Sequence, residues 1–366
     1  MGLILPNGPA FAHWSDNLAL PSGDGLDYGA SLVPGTSNAD GSAVTLLPAL
    51  AHDCEYLVLA VSGFALSGAN TSALMDLLVD PAGGTSWSEM ISDLLCGYTA
   101  VIQLNGSTPG PHGAPLVYYF PIWLKAGTSI GAMARCAHGS AFANPPRVIV
   151  YAAGGNKNPA SWWCGQKVET VGTFNTAASL GQAHTPGYSV AVTGTADNGS
   201  GLIRVTVSST SGWSTGDIRR VSGISGTTEA NGTWTITVVD GTHIDLQGST
   251  FVNAYVSGGT VTGNFSSWTS LGSPTALRAG ALQYGAQGPG GTTMAGRVYR
   301  YEFGAGSNQI GPCLYRGQGS LEVGTHFCHG PVFCDIPAGT QMQVRGLCGS
   351  TSTTGATSDV AAYLVQ

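Results

Sequence analysis

The sequence predicts an all-β protein: two tandem jelly-roll-like antiparallel sandwiches, the second carrying an inserted small β-barrel. Three observations predict this. One stretch of chain recurs, with Pro121-Ile122-Trp123, Ala126-Gly127-Thr128, Cys136 and Tyr151 returning as Pro331-Val332-Phe333, Ala338-Gly339-Thr340, Cys348 and Tyr363. From the Ala-Gly-Thr word onward the spacing is a constant 212 residues, and Ile130, Ala132 and Val148 match Met342, Val344 and Val360 at the same spacing. Gly supplies 55 of 366 positions and clusters with Ser, Thr and Asn between β-branched runs, as in short strands joined by tight turns. No long stretch keeps the 3.6-residue apolar period of a helix. A repeat that holds register over about 25 residues marks two copies of one module.

Residues 1–28 read as an N-terminal arm, punctuated by Gly and Pro and carrying His13-Trp14. Such a segment cannot bury its own apolar side chains, so it lies on its own domain or docks into a neighbour. The first sandwich is expected over 29–156. Residues 56–61, 116–123, 130–137 and 147–152 read as strands, 73–80 leads into the turn at 81–84, and 89–95 is either a short helical turn or a strand. About eight strands in about 125 residues fit an antiparallel sandwich.

The second sandwich is expected over 157–186 and 264–366. Ala178-Ser179-Leu180 echoes Ala30-Ser31-Leu32, and Trp268-Thr269-Ser270-Leu271 echoes Val44-Thr45-Leu46-Leu47. Glu302-Phe303-Gly304-Ala305-Gly306 matches Val79-Asp80-Pro81-Ala82-Gly83. Between the first two echoes the second copy holds about 75 extra residues, which a surface loop accepts at little entropic cost. This insert, 187–263, has five strand-like runs at 189–193, 202–207, 217–222, 233–239 and 243–246. Turn signals at Thr215-Gly216-Asp217, Asn231-Gly232 and Asp240-Gly241 separate them, and the whole reads as a small barrel.

Composition points to an assembly part. Charged residues make up only 9% of the chain, against a typical quarter, and such a surface is better suited to being covered by neighbours. The net charge of −7, with Arg219-Arg220 as the one adjacent basic pair, argues against a nucleic-acid groove. No run reaches the roughly 18 apolar residues of a membrane span. The start lacks a basic region, and Pro6 interrupts its apolar stretch, so it does not read as a secretory signal. With no sign of an oxidising compartment, the eight cysteines are expected to be free buried thiols, with Cys136 and Cys348 in equivalent places and Cys96 and Cys313 as a second pair.

The insert carries recognisable words. Gly212-Trp213-Ser214-Thr215-Gly216-Asp217, the run 221–232 ending in Glu229-Ala230-Asn231-Gly232, the strand 235–239 and Gly258-Gly259-Thr260-Val261 resemble a small β-barrel module common in bacteriophage structural proteins. That module is often labelled after the catalytic-cysteine half-domain of ubiquitin-activating enzymes. The enzymology does not carry over, because residues 187–263 contain no cysteine. Tyr119-Phe120-Pro121-Ile122-Trp123-Leu124-Lys125-Ala126-Gly127-Thr128, followed by Ile130 and Arg135, is similar to a signature of phage tail and baseplate structural proteins. The resemblance implies a virion component, assembled in the host cytoplasm: a homo-oligomeric tail fibre, baseplate or adhesin part, or alternatively a capsid decoration or head spike. The implied partners are copies of itself, other virion proteins and a host-surface glycan, with no nucleic acid and no membrane insertion.

Chemistry is sparse. His326, Cys328, His329 and Cys334 have zinc-ligand types, but strand alternation splits them between two faces and the first copy has no matching set. Asp76, Asp80, Glu89 and Asp93 are close enough in sequence for a polysaccharide-degrading pair, although Asp80 before Pro81 suits a turn. No catalytic residue, metal or cofactor is therefore expected. Aromatic side chains stack on sugars or fill cores; Trp123 and Trp234 are expected in cores and Trp162-Trp163 in a contact between modules. Loops on a rigid barrel commonly carry recognition, and there Trp213, Thr228, Asn231 and Tyr255 are the candidate contacts for a glycan or a partner.

Overall fold

The computed structural model describes residues 13–16, 29–35, 39–62, 71–99, 116–136, 145–154, 164–172, 182–287, 298–306, 308–311, 314–317, 331–351 and 357–366. The rest of the arm, the echo at 178–180, Trp162-Trp163, Cys313 and the group His326, Cys328 and His329 lie outside them.

The first sandwich comprises β1 (His13–Asp16), β2 (Ala30–Ser31), β3 (Val44–Leu47), β4 (Cys54–Ser62), β5 (Thr71–Asp80), β6 (Ser88–Thr99), β7 (Leu116–Phe120), β8 (Ser129–Cys136) and β9 (Arg147–Gly154). One sheet runs β1-β9-β4-β7 with β2 also on β9, and the facing sheet runs β3-β8-β5-β6. Strand alternation selects the faces: Val148, Val150 and Ala152 of β9 enter the core, while Arg147, Ile149 and Tyr151 face outward and are half-buried. The 89–95 stretch belongs to strand β6, and His13–Asp16 of the arm pairs with β9 of its own sandwich.

The chain continues through β10 (Val168–Val171), β11 (Gln182–His184) and β12 (Gly187–Tyr188) into the insert. There β13 (Val190–Asp197), β14 (Ile203–Val207), β15 (Ile218–Ser225), β16 (Gly232–Val238), β17 (His243–Leu246) and β18 (Ser257–Val261) close a barrel. Five strands were expected from the sequence and six are present. The sixth, β18, carries Gly258 and Gly259 at φ 72° and 100°, which remove the β-branched pattern that marks a strand. The second sandwich resumes with β19 (Thr269–Ser270), β20 (Ala279–Gln287), β21 (Val298–Ala305), β22 (Asn308–Gln309), β23 (Leu314–Gly317), β24 (Val332–Ile336), β25 (Met342–Cys348) and β26 (Ser358–Val365).

Its sheets repeat the first plan. The order β10-β26-β20-β24, with β11 also on β26, copies β1-β9-β4-β7 with β2 on β9, and β19-β25-β21 copies β3-β8-β5. Register agrees residue by residue: Val58 faces Tyr151 as Gln283 faces Tyr363, and Asp76 faces Met133 as Glu302 faces Arg345. The Ala-Gly-Thr word recurs because both turns need a left-handed residue, Gly127 at φ 86° and Gly339 at φ 78°. Each donates its amide to the equivalent carbonyl, of Leu50 or Thr275, at 2.8 Å.

Register also corrects three of the sequence matches. Leu57 faces Phe120 and Leu282 faces Val332, so the 212-residue spacing extends upstream to Phe120 and the two proline words stand two residues out of true alignment. Ala305, rather than Glu302, takes the place of Val79, and Thr269, rather than Trp268, takes that of Val44. A period-two apolar pattern matches itself almost as well after a small slip, and only ladder hydrogen bonds choose the register. Gly35 and Gly187 make equivalent parallel bridges, while Gly41 and Ser266 make equivalent amide bonds to Ala134 and Gly346. The spacing thus rises from 152 to 225 across the loop, an insertion of 73 residues.

The two sandwiches share a core. All eight residues of β26 are buried. Val360, Ala362 and Leu364 face the core of their own sandwich, whereas Ala361, Tyr363 and Val365 join that of the first. The second sandwich lies across the edge strands β6 and β7. The Tyr363 hydroxyl accepts from Leu95 N–H at 2.9 Å and donates to the Asp93 carbonyl at 3.0 Å, and its ring meets those of Tyr118 and Phe120 edge-on. Tyr119 N–H donates to Gln283 Oε1 at 2.8 Å, and Thr170 Oγ1 donates to the Ser92 carbonyl at 2.6 Å. Tyr363→Phe keeps the ring and leaves Leu95 N–H without its acceptor, so urea unfolding should show a loss of about 1–3 kcal/mol.

Candidate contact surface of the inserted barrel

The barrel has its own core, with Ile203, Val205, Val221, Ile236, Ile244 and Leu246 fully buried. Strand direction gives it two ends. Val261 pairs with Val190 and Val221 at the end beside the insertion point, and Ser257 pairs with Ser225 at the far end.

The near end is fastened. Arg219 donates to the Gly263 carbonyl at 2.9 Å, to Asn264 Oδ1 at 2.6 Å and to Asp217 Oδ2 at 2.7 Å, with its guanidinium 4.9 Å from the Trp213 ring centre. Asn264 Nδ2 in turn donates to the Gly212 carbonyl. On the sandwich side, Arg345 stacks between Phe265 at 4.8 Å and Trp268 at 4.6 Å. The Glu302 carboxylate, 2% exposed, holds Arg345 and Arg300 at 2.6 Å each. The returning strap of the insert is thus gripped from both sides.

The far end gathers the segments after β13, β15 and β17. A single 3-10 turn, Thr228–Ala230, lies beside the 251–256 loop. Glu229 clamps that loop, accepting from Val252 N–H at 2.9 Å and Asn253 N–H at 2.7 Å through Oε1 and from Asn253 Nδ2 at 3.2 Å through Oε2. These donors lower its carboxyl from the ordinary 4.5 to about 2. Thr227 Oγ1 donates to the Asn253 carbonyl, and Phe251 N–H to that of Gly201. The clamped loop presents Val252 and Val256, each 69% exposed.

The structure separates the four candidate contacts. Thr228 opens the far-end turn and Asn231 follows it, and both are exposed, although the Asn231 amide is committed to both backbone groups of Ile224. Tyr255 is half-buried at the same end, its hydroxyl donating toward the carbonyls of Val192 and Gly258. Trp213 is a correction: it is 8% exposed, at the near end, and packs into the barrel core under Arg219. A tryptophan between turn residues reads as a loop tip, but here the ring turns inward to cover the barrel floor. Val252 and Val256 were missed, since isolated valines carry no sequence signal of exposure. Trp123, expected in a core, is 42% exposed, while Trp234 packs against the barrel core and donates Nε1–H to the Ala230 carbonyl at 2.7 Å.

The acidic residues of the first sandwich have structural employment. Asp80 accepts from the amides of Ala82, Gly84 and Ser86, which lowers its pKa and shapes the turn. Asp93, at φ 57°, pairs with Arg135 and gives its amide to Asp76 Oδ1 at 2.7 Å. Asp76 is 6% exposed; burial first, then the nearby Asp93, Glu89 and Asp40 charges, raises its carboxyl to about 6 against the lowering hydrogen bond. Among the described residues no group of three or more His, Cys, Asp or Glu side chains is arranged to hold a metal ion. Of the six described cysteines, Cys54, Cys96, Cys136 and Cys348 are buried and Cys164 and Cys334 half-buried, and burial pushes the Cys54 thiol up to about 12.

No family model matches the chain, and no curated protein matches it. Two solved structures are similar in outline. One is the N-terminal tandem CBM22 domain of a Paenibacillus barcinonensis protein, 8% identical, with 91% of this chain and 85% of that chain covered and a TM-score of 0.21. The other is the empty top-component particle of cowpea mosaic virus, 10% identical, with 92% and 91% covered and a TM-score of 0.24. Likenesses at this level carry no functional weight.

The Glu229 clamp stabilises the loop at pH above the carboxyl's ordinary 4.5, and this is lost as pH falls through about 2. Glu229→Ala should therefore speed amide exchange at Val252 and Asn253 at neutral pH and leave the barrel strands unchanged.

Proposed function

We propose that this chain is a non-enzymatic bacteriophage virion structural protein: a homo-oligomeric, tail-associated subunit of fibre, baseplate or adhesin type that presents its barrel to the host surface. The observation that carries the reading is the barrel's construction. It is a separately cored module set into one loop of a sandwich, gripped at its near end and exposing Thr228, Val252 and Val256 at its far end. Loops fixed on a rigid scaffold are suited to recognition. The motif resemblances in the barrel and at residues 119–128 supply the phage assignment, and the 9% charged composition suits a subunit covered by its own copies and other virion proteins. Asp76 and Asp80, buried or committed to a turn, lend no support to a polysaccharide-degrading spike.

Copy number separates tail from head. Quantitative mass spectrometry of purified particles should find the chain at the few copies of a trimer or ring; hundreds per particle would favour the capsid decoration or head spike instead. The presentation role has its own test. Replacing residues 188–265 with the five residues 36–40 of the equivalent loop should preserve folding and self-association while abolishing binding of the purified protein to host cells. Undiminished binding would remove the barrel from the contact.

A further inference from the structure

The joint between the two sandwiches has a second, equivalent pair of surfaces that, among the described residues, are not joined to each other. In the joint, the outer face of the β10-β26-β20-β24 sheet covers edge strands β6 and β7 through Tyr363, Gln283 and Thr170. Shared register supplies a counterpart for each side. The covering face corresponds to the outer face of β1-β9-β4-β7, where Tyr151 stands in the place of Tyr363, Val58 in that of Gln283 and Ile149 in that of Ala361. All three are half-buried. The covered edges correspond to β23 and β24, the outermost strands of their sheets among the described residues. There the backbone of Tyr315 takes the place of Leu95, Pro331 that of Tyr119 and Val332 that of Phe120.

One substitution is matched across both counterparts. In the joint, Tyr119 N–H meets the Gln283 side-chain oxygen. At the counterpart positions Pro331 has no N–H and Val58 has no acceptor, so a polar pair has become an apolar pair on both sides at once. The edge region also carries exposed apolar side chains, with Phe333 54% and Val298 55% exposed. Sheet edges invite strand addition, which Pro331 opposes, and covering by a sheet face is the arrangement this chain already uses.

We propose that copies of this chain assemble head to tail, the outer β9-β4 face of one copy covering the β23 and β24 edges of the next as β26 covers β6 and β7 within the chain. The inference rests on the reading of the chain as a self-assembling subunit and names the interface. Such a contact is heterologous: an open assembly keeps one free face at one end and one free edge at the other until a ring closes.

The test uses two full-length variants, Val58→Glu on the face and Pro331→Glu at the edge, with mass photometry as readout and circular dichroism confirming the fold. Ile149→Glu reads the same face through another side chain. Each variant alone should lose association by about 100-fold in affinity. An equimolar mixture of the Val58→Glu and Pro331→Glu variants should form dimers and nothing larger, because one intact face meets one intact edge. Folded variants that assemble like the wild type, or a mixture that stays monomeric, would overturn this interface and leave self-assembly standing. A monomeric wild type at micromolar concentration would overturn both.

Discussion

The architecture depends on one strand being buried on both sides. β26 divides its side chains between two cores, Val360, Ala362 and Leu364 to one and Ala361, Tyr363 and Val365 to the other. An antiparallel sheet commonly leaves one face to water. Here that face became the seal of the neighbouring sandwich, and the open backbone groups of β6 and β7 found partners in Tyr363, Gln283 and Thr170. Removing a buried partner costs more than forming the bond contributes, so these few contacts fix the joint strongly relative to their number.

Duplication explains why such a seal fits. Two sandwiches with one strand order present equivalent edges and equivalent faces, so the face and edge that meet in the joint have counterparts in every chain. The copies have since diverged where their surroundings differ. Asp76 and Glu302 occupy equivalent positions and both are buried, yet Asp76 is held by the Asp93 amide and Glu302 by two arginines. Arg300 and Arg345 also grip the strap returning from the barrel, so the extra charges in the second copy accompany its insertion.

The barrel shows the same economy. Its near end is tied through Arg219, Asn264 and the stacked Phe265, whereas its far end is stiffened by its own turn chemistry, the Glu229 clamp above all. Stiffness at the far end holds Val252 and Val256 exposed without letting the loop collapse over them. In the proposed role, a loop ordered beforehand loses less conformational entropy on binding.

How far the sequence reached can be judged from particular residues. The all-β class, the duplication and the place of the insert were legible because glycine turns and period-two runs are local signals: Gly127 and Gly339 must adopt a left-handed backbone wherever the rest of the chain goes. The alignment upstream of the repeat slipped by one to three residues, since an alternating strand resembles itself after a slip and long-range ladders alone decide register. Trp213 was expected on a loop surface and Val252 was missed for a related reason. Whether a side chain on a loop turns inward depends on which strands close beneath it, and that is set by residues distant in sequence, such as Arg219 and Asn264. The sequence by itself determined the elements and their doubling; the tertiary structure alone decided that the halves share a core, because burial on the second face of β26 belongs to neither half until both are folded.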